Sequence, residues 1–108
     1  MPAKTTLGDI RAVQLQGRLA SGDRPMVVDV REPFEYEDGH IPGAVLLPLG
    51  QLPQRLGELD PERETVLVCR SGSRSGMATA WLRRQGYGNV RNMVGGMLTW
   101  RGEVESGL

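Results

Sequence analysis

The sequence predicts an α/β fold built on a parallel sheet with helices on both faces, and three observations predict it. Short apolar runs recur along the chain without polar alternation, which is how strands buried on both sides read. Segments with helical spacing of apolar residues lie between them. No two of the apolar runs are joined by a two-residue hairpin turn. At 108 residues the chain is long enough for one core, and it reads as one domain over residues 1–108.

Taken in order, Leu7 to Leu19 carries a helical stripe of Leu7, Ile10, Val13, Leu15 and Leu19, ended by Ser21-Gly22-Asp23-Arg24-Pro25. Met26 to Val30 is the first clear strand. Arg31 to Glu37 reads as a short helix with Pro33 near its start, and Asp38 to Gly43 as turn chemistry. Ala44 to Leu47 is a second strand, closed by Pro48. Gln51 to Leu59 reads as a brief helix stopped by Asp60-Pro61. Thr65 to Val68 is the third strand, and Arg74 to Gln85 the clearest helix. There Met77, Ala78, Trp81 and Leu82 share a face, and Gly86 comes next as a stop. Val90 to Val94 is the fourth strand, Gly95-Gly96 turns the chain, and Met97 to Val104 reads as a closing helix.

The charge balance limits the function. Thirteen basic and thirteen acidic residues cancel, which argues against nucleic-acid or membrane-surface binding. No apolar run approaches a membrane span, and Met1 to Thr6 has no apolar signal segment, so the expectation is a cytoplasmic protein. Cys69 is the one cysteine, so neither an internal disulfide nor a cysteine zinc site can form. No acidic or histidine cluster suggests a metal, and no cofactor is expected.

In open parallel sheets ligands bind beyond the carboxyl ends of the strands. Asp29, Cys69 and Gly95 all fall at or just past such ends. A lone cysteine ending a strand is by default a core residue, but the residues after it reverse that reading. Arg70, Ser71, Gly72, Ser73 and Arg74 bring two cations and a run of backbone amides, with a helix N-terminus behind them. Together these lower a thiol pKa and suit an anionic ligand. Gly72 allows a positive φ or a close approach of backbone to ligand. Ser71, Ser73 and Ser75 are candidate donors to the sulfur, and Ser75 is equally a candidate helix cap. Asp29 reads as the partner of an arginine. His40 reads as a hydrogen-bonded turn residue rather than as a base for Cys69. Gly95-Gly96 is explained by a tight turn. Met97, Trp81 and Trp100 sit at helical spacings and read mostly as core, with Met97 or Trp100 the one candidate for the rim, because the turn brings that segment to the active edge.

Three blocks in this order resemble the rhodanese (sulfurtransferase) family. They are Asp29-Val30-Arg31-Glu32 with Phe34-Glu35-Tyr36 and Gly39 to Ala44, then Cys69 to Ser75, then Gly95 to Trp100. The resemblance implies a three-layer α/β/α fold with a five-stranded parallel sheet, which places a fifth, edge strand at Lys4-Thr5-Thr6. It implies Cys69 as nucleophile, with Arg70 to Ser75 around the substrate and Asp29, Arg31 and His40 in supporting roles. The implied reaction takes the outer sulfur of thiosulfate or a persulfide onto Cys69. Cyanide, a thiol or a protein acceptor then removes it. Related phosphatases carry five residues between Cys and Arg; here four separate Cys69 from Arg74, and Ser75 stands where the phosphatase arginine would fall. A phosphatase-like enzyme and a non-catalytic interaction domain are the alternatives, and the intact Cys69 loop argues against the second.

Overall fold

The computed structural model describes residues 7–108. Five parallel strands form one sheet: β1 (Ile10–Arg11), β2 (Met26–Asp29), β3 (Val45–Leu46), β4 (Thr65–Val68) and β5 (Val90–Val94), in spatial order β1-β5-β4-β2-β3. Three helices accompany them: α1 (Ala12–Ala20), α2 (Pro33–Asp38) and α3 (Ser73–Arg84). Among the described residues no helix is long and apolar enough to cross a membrane.

Strand parity explains why the strands read as unbroken apolar runs. Val27, Val66, Val68 and Met93 face one core with Leu15, Tyr36, Ile41 and Trp100. Val28, Val30, Leu67 and Val90 face a second core with Ala78 and Leu82 of α3 and with Leu47, Leu52 and Leu59. Each face is covered, so successive side chains are apolar whichever way they point. The α/β/α layering has the same cause.

Four expectations about elements are corrected. The edge strand proposed at Lys4-Thr5-Thr6 lies outside the described residues, and the strand on this edge is Ile10–Arg11, in register with Met93 and Val94. It takes residues from the start of the expected Leu7–Leu19 helix, so α1 begins at Ala12. Gln51 to Leu59 is not an α-helix but two 3₁₀ turns, Leu49–Gln51 and Leu56–Glu58. Pro53 lacks the amide that a continuous ladder needs, and Gly57 lowers the helix propensity of the second half. Met97 to Val104 holds only the 3₁₀ turn Gly96–Thr99. Trp100 then turns to extended backbone, and a Cβ on Gly102 would lie 2.7 Å from the Trp100 ring. Beyond it the chain pairs Glu105 with His40 in an antiparallel bridge.

The topology places the ligand edge. The chain leaves β2 toward β3 on one side, then crosses to β4 and moves outward to β5 on the other. The loops after β2 and β4 therefore diverge, which opens a crevice at their carboxyl ends. Cys69 immediately follows the last residue of β4.

Candidate active site

Residues 69–75 fold into a tight loop because of one backbone conformation. Gly72 has φ +96° and precedes the first residue of α3, which starts at Ser73, one residue earlier than the spacing predicts. A Cβ at Gly72 would sit 3.0 Å from the Gly95 nitrogen, so both the φ and the space exclude a side chain. The turn points amides back at the sulfur. Gly72 N–H donates to Cys69 Sγ at 3.1 Å, and Ser75 N–H at 3.3 Å. Ser75 Oγ lies 3.3 Å from the same sulfur.

Cys69 itself is fully buried. Burial pushes the thiol pKa up, but the Ser75 hydroxyl and the amides of Ser75, Gly72 and Ser71 outweigh it and hold the group below the ordinary thiol range. The site thus contains a thiolate-stabilising cradle made largely of main chain, which needs no reorganisation when charge appears.

The two arginines diverge. Arg74 turns to α2, where its two terminal nitrogens donate to Glu35 Oε1 at 2.7 Å and Oε2 at 2.8 Å. Glu35 Oε1 also accepts the Glu32 amide at 3.0 Å, so one carboxylate ties the start of α2 to the start of α3. The Arg74 bond holds the Glu35 carboxyl down at about 2, from an ordinary value of 4.5. A depressed carboxylate pKa stabilises the fold above the unfolded value, and that contribution is lost as pH falls from about 4.5 toward about 2. The Arg74 side chain is 33% exposed, so screening limits the effect to about 1 kcal/mol. Urea unfolding of Glu35→Gln should therefore lose less stability across that acid window than the parent protein. Arg70, by contrast, has an exposed side chain at the mouth of the loop.

The supporting residues form a frame beside the loop. Asp29 is 1% exposed and Arg31 6%. Asp29 Oδ2 accepts from the Arg31 terminal nitrogen at 2.8 Å, Oδ1 accepts the Arg31 amide at 3.1 Å, and the guanidinium also donates to the Gly39 carbonyl at 2.7 Å. This pair pins the loop before α2 to Gly39, the residue that follows α2. His40 is buried, and its ring stacks on Tyr36 at 3.6 Å. Its Nδ1–H donates to the Tyr36 carbonyl at 2.7 Å, and Nε2 lies 3.8 Å from Glu105. Both ring nitrogens are turned to structural neighbours, and neither to Cys69.

Gly95 and Gly96 do more than turn the chain. The Met97 and Leu98 amides donate to the Cys69 and Arg70 carbonyls at 2.9 and 3.0 Å, so this segment braces the back of the loop. Trp100 is buried in the core that contains Leu15, and Met97 is partly buried against the same core, as the core reading of these residues has it. Trp100 is held there by a bond from its Nε1–H to the Glu103 carbonyl.

Asn92 is the residue that sequence reasoning passed over. Its Nδ2 donates to the Gly72 carbonyl at 3.1 Å, and its Oδ1 accepts from Ser75 Oγ at 2.6 Å. The available signal was a polar residue in a strand of Val90, Met93 and Val94. Asn92 is in register with Leu67, so both face α3, as does Cys69 two residues further on. Among the described residues no group of three or more His, Cys, Asp or Glu is placed to hold a metal.

Comparison with known proteins agrees with this geometry. The rhodanese-like domain family model matches residues 12–103. The chain is 42% identical over 94 residues to a sulfurtransferase of Allochromatium vinosum, covering 87% of this chain and 88% of that one. A rhodanese-like domain protein of Staphylococcus aureus superposes with a TM-score of 0.85 at 29% identity, covering 94% of this chain and all of that one. The thiosulfate sulfurtransferase of Pseudomonas aeruginosa superposes with a TM-score of 0.82 at 28% identity, covering 95% of this chain and 21% of that one. The match runs from α1 to beyond the last 3₁₀ turn and so takes in every element that shapes the Cys69 loop: the chain belongs to the rhodanese-like family.

Proposed function

We propose that this protein is a sulfurtransferase that carries sulfane sulfur as a persulfide on Cys69. The observation that carries the reading is the convergence of the Gly72 and Ser75 amides and the Ser75 hydroxyl on one buried sulfur. The Cys69 thiolate attacks the outer sulfur of thiosulfate, the S–S bond of the donor breaks, and sulfite leaves with the electron pair. Cys69 now bears a persulfide anion. Cyanide or a thiolate then attacks the terminal sulfur, and the Cys69 thiolate is regenerated. The order is ping-pong, and a small-molecule or protein persulfide serves as an alternative donor by the same displacement.

Burial of Cys69 favours a persulfide carrier. The transferred sulfur extends about 2 Å beyond Sγ, one S–S bond length, and so reaches toward an acceptor that the thiol itself does not meet. The chain has no second cysteine to resolve the persulfide, so the acceptor comes from outside. The amides of Ser71, Gly72 and Ser75 hold the charge on sulfur, Ser73 opens the helix behind them, and Arg70 and Arg74 bias the mouth toward anions. With Arg74 engaged by Glu35, Arg70 is the more available of the two cations. Asp29, Arg31 and His40 hold the frame.

Intact-protein mass spectrometry tests the reading. Mixed with thiosulfate, the protein should gain the mass of one sulfur atom on Cys69 and lose it to cyanide. No gain from thiosulfate or from a low-molecular-weight persulfide would sink the proposal. Hydrolysis of an aryl phosphate dependent on Cys69 would favour the phosphatase-like reading instead.

A further inference from the structure

A hydroxyl has one hydrogen, and the Ser75 hydroxyl faces two acceptors. Asn92 Oδ1 lies 2.6 Å from Oγ, while Cys69 Sγ lies 3.3 Å away. The shorter contact to an amide oxygen holds the hydrogen in the resting geometry. Asn92 is buried and its orientation is set by the bond from Nδ2 to the Gly72 carbonyl. Ser75 is fully buried, so water does not supply a substitute donor. When Cys69 is protonated, its S–H can donate to Ser75 Oγ, and the chain Cys69–Ser75–Asn92 is satisfied throughout. When Cys69 ionises, Ser75 serves the sulfur only by turning its hydrogen away from Asn92, which leaves a buried amide oxygen without its donor.

We propose that Asn92 is a positioning residue that competes with the Cys69 sulfur for the single Ser75 hydroxyl hydrogen, and thereby sets how much Ser75 stabilises the thiolate. The proposal rests on Cys69 being the working thiolate. The charges facing the sulfur are few. Arg74 of α3 is electrostatically coupled to Cys69, and Glu35 of α2 offsets it. Arg70 is next to Cys69 in the chain with its side chain exposed, and from β5 the facing group is the neutral Asn92 amide. In the sulfur-loaded state Sγ is a neutral, bridging sulfur, so the hydrogen returns to Asn92 and the amides are left to hold the charged terminal sulfur.

The test is a double-mutant cycle read by the pH titration of thiolate ultraviolet absorbance, which needs no sulfur donor and is unambiguous with one cysteine. Ser75→Ala should raise the Cys69 pKa in every background, by an amount that depends on residue 92. In the Asn92→Ala background the competing acceptor is gone, so the Ser75→Ala shift should exceed that in the parent by about one pH unit. In the Asn92→Asp background a charged acceptor holds the hydrogen harder, so the shift should be smaller than in the parent. Asn92→Ala leaves the Gly72 carbonyl its helical bond from the Gly76 amide at 2.9 Å, so the loop keeps one anchor. If Asn92→Ala does not fold, the comparison of the Asp variant with the parent still decides. Equal Ser75→Ala shifts in all backgrounds, or the reverse order, overturn the proposal. Sulfur uptake failing with every donor would sink the sulfurtransferase reading while this order stood or fell by itself.

Discussion

Replacing Cys69 by alanine should abolish sulfur uptake while leaving a folded protein. The chain has no other thiol, so no residue can take over the nucleophile's part, and the mass gain with thiosulfate should fall to zero rather than to a fraction. The fold should survive because Cys69 packs as a small apolar side chain in the α3-facing core, beside Val30, Leu67 and Ala78. Alanine keeps most of that contact, and the expected cost is about 2–4 kcal/mol from lost packing and from the amides whose acceptor has gone. Urea unfolding and intact mass, measured on the same preparation, separate the two effects. Cys69→Ser should behave alike in the mass assay, since an alkoxide is inaccessible near neutral pH and no persulfide can form on oxygen. Any sulfur retained by either variant would place the transfer elsewhere and defeat the assignment.

The second large effect is expected from one methyl group at Gly96. This residue has φ +58°, and a Cβ there would fall 2.4 Å from the Arg70 carbonyl oxygen and 2.5 Å from the Cys69 carbonyl oxygen. Neither neighbour is a side chain that can swing away. Both belong to the main chain of the Cys69 loop, and they accept the amides of Met97 and Leu98. Gly96→Ala must therefore push the segment after β5 away from the loop or deform the loop itself. The expected cost is about 3–5 kcal/mol, a large part of the stability of a domain this size. The urea midpoint should drop accordingly, and sulfur uptake should slow even at temperatures where the variant is folded, because the displaced carbonyls carry the Cys69 amide cradle with them. Gly57→Ala is the control: nothing lies within 4 Å of its Cβ position and its backbone is unstrained, so it should be close to neutral. A Gly96→Ala protein as stable and active as the control would refute the bracing role of this turn.

How much was legible in the sequence depends on the range of the interactions. Four of the five strands were readable because burial on both faces leaves an unbroken apolar run, as in Val66-Leu67-Val68. The edge strand was misplaced because two residues, Ile10 and Arg11, carry no period of their own. They are a strand only because Met93 and Val94 lie beside them. The expected helix at Gln51 to Leu59 failed for a local reason that was visible, Pro53, which the spacing of Leu52, Leu56 and Leu59 masked. The closing helix failed for a non-local one: Trp100 is drawn into the core, and the chain beyond it pairs with His40.

The site divides the same way. By itself the sequence singled out Cys69, the small-residue loop and the helix start behind it, since a turn from Cys69 to Ser75 is built from adjacent residues and needs only Gly72 to take a positive φ. It also marked Asp29 as the partner of an arginine, which the structure identifies as Arg31, two residues on. Only the tertiary structure decided what the loop's side chains do. Arg74 reads from the sequence as a candidate anion contact, and only the fold shows that α2 brings Glu35, 39 residues away, onto its guanidinium. Ser75 read as a donor to sulfur, and it does reach Sγ, but only the fold shows that β5 also brings Asn92 within 2.6 Å of its hydroxyl. A hydrogen or a charge goes to its nearest strong partner, and here that partner is set by how the helices pack and how the strands are registered, which no local stretch of sequence contains.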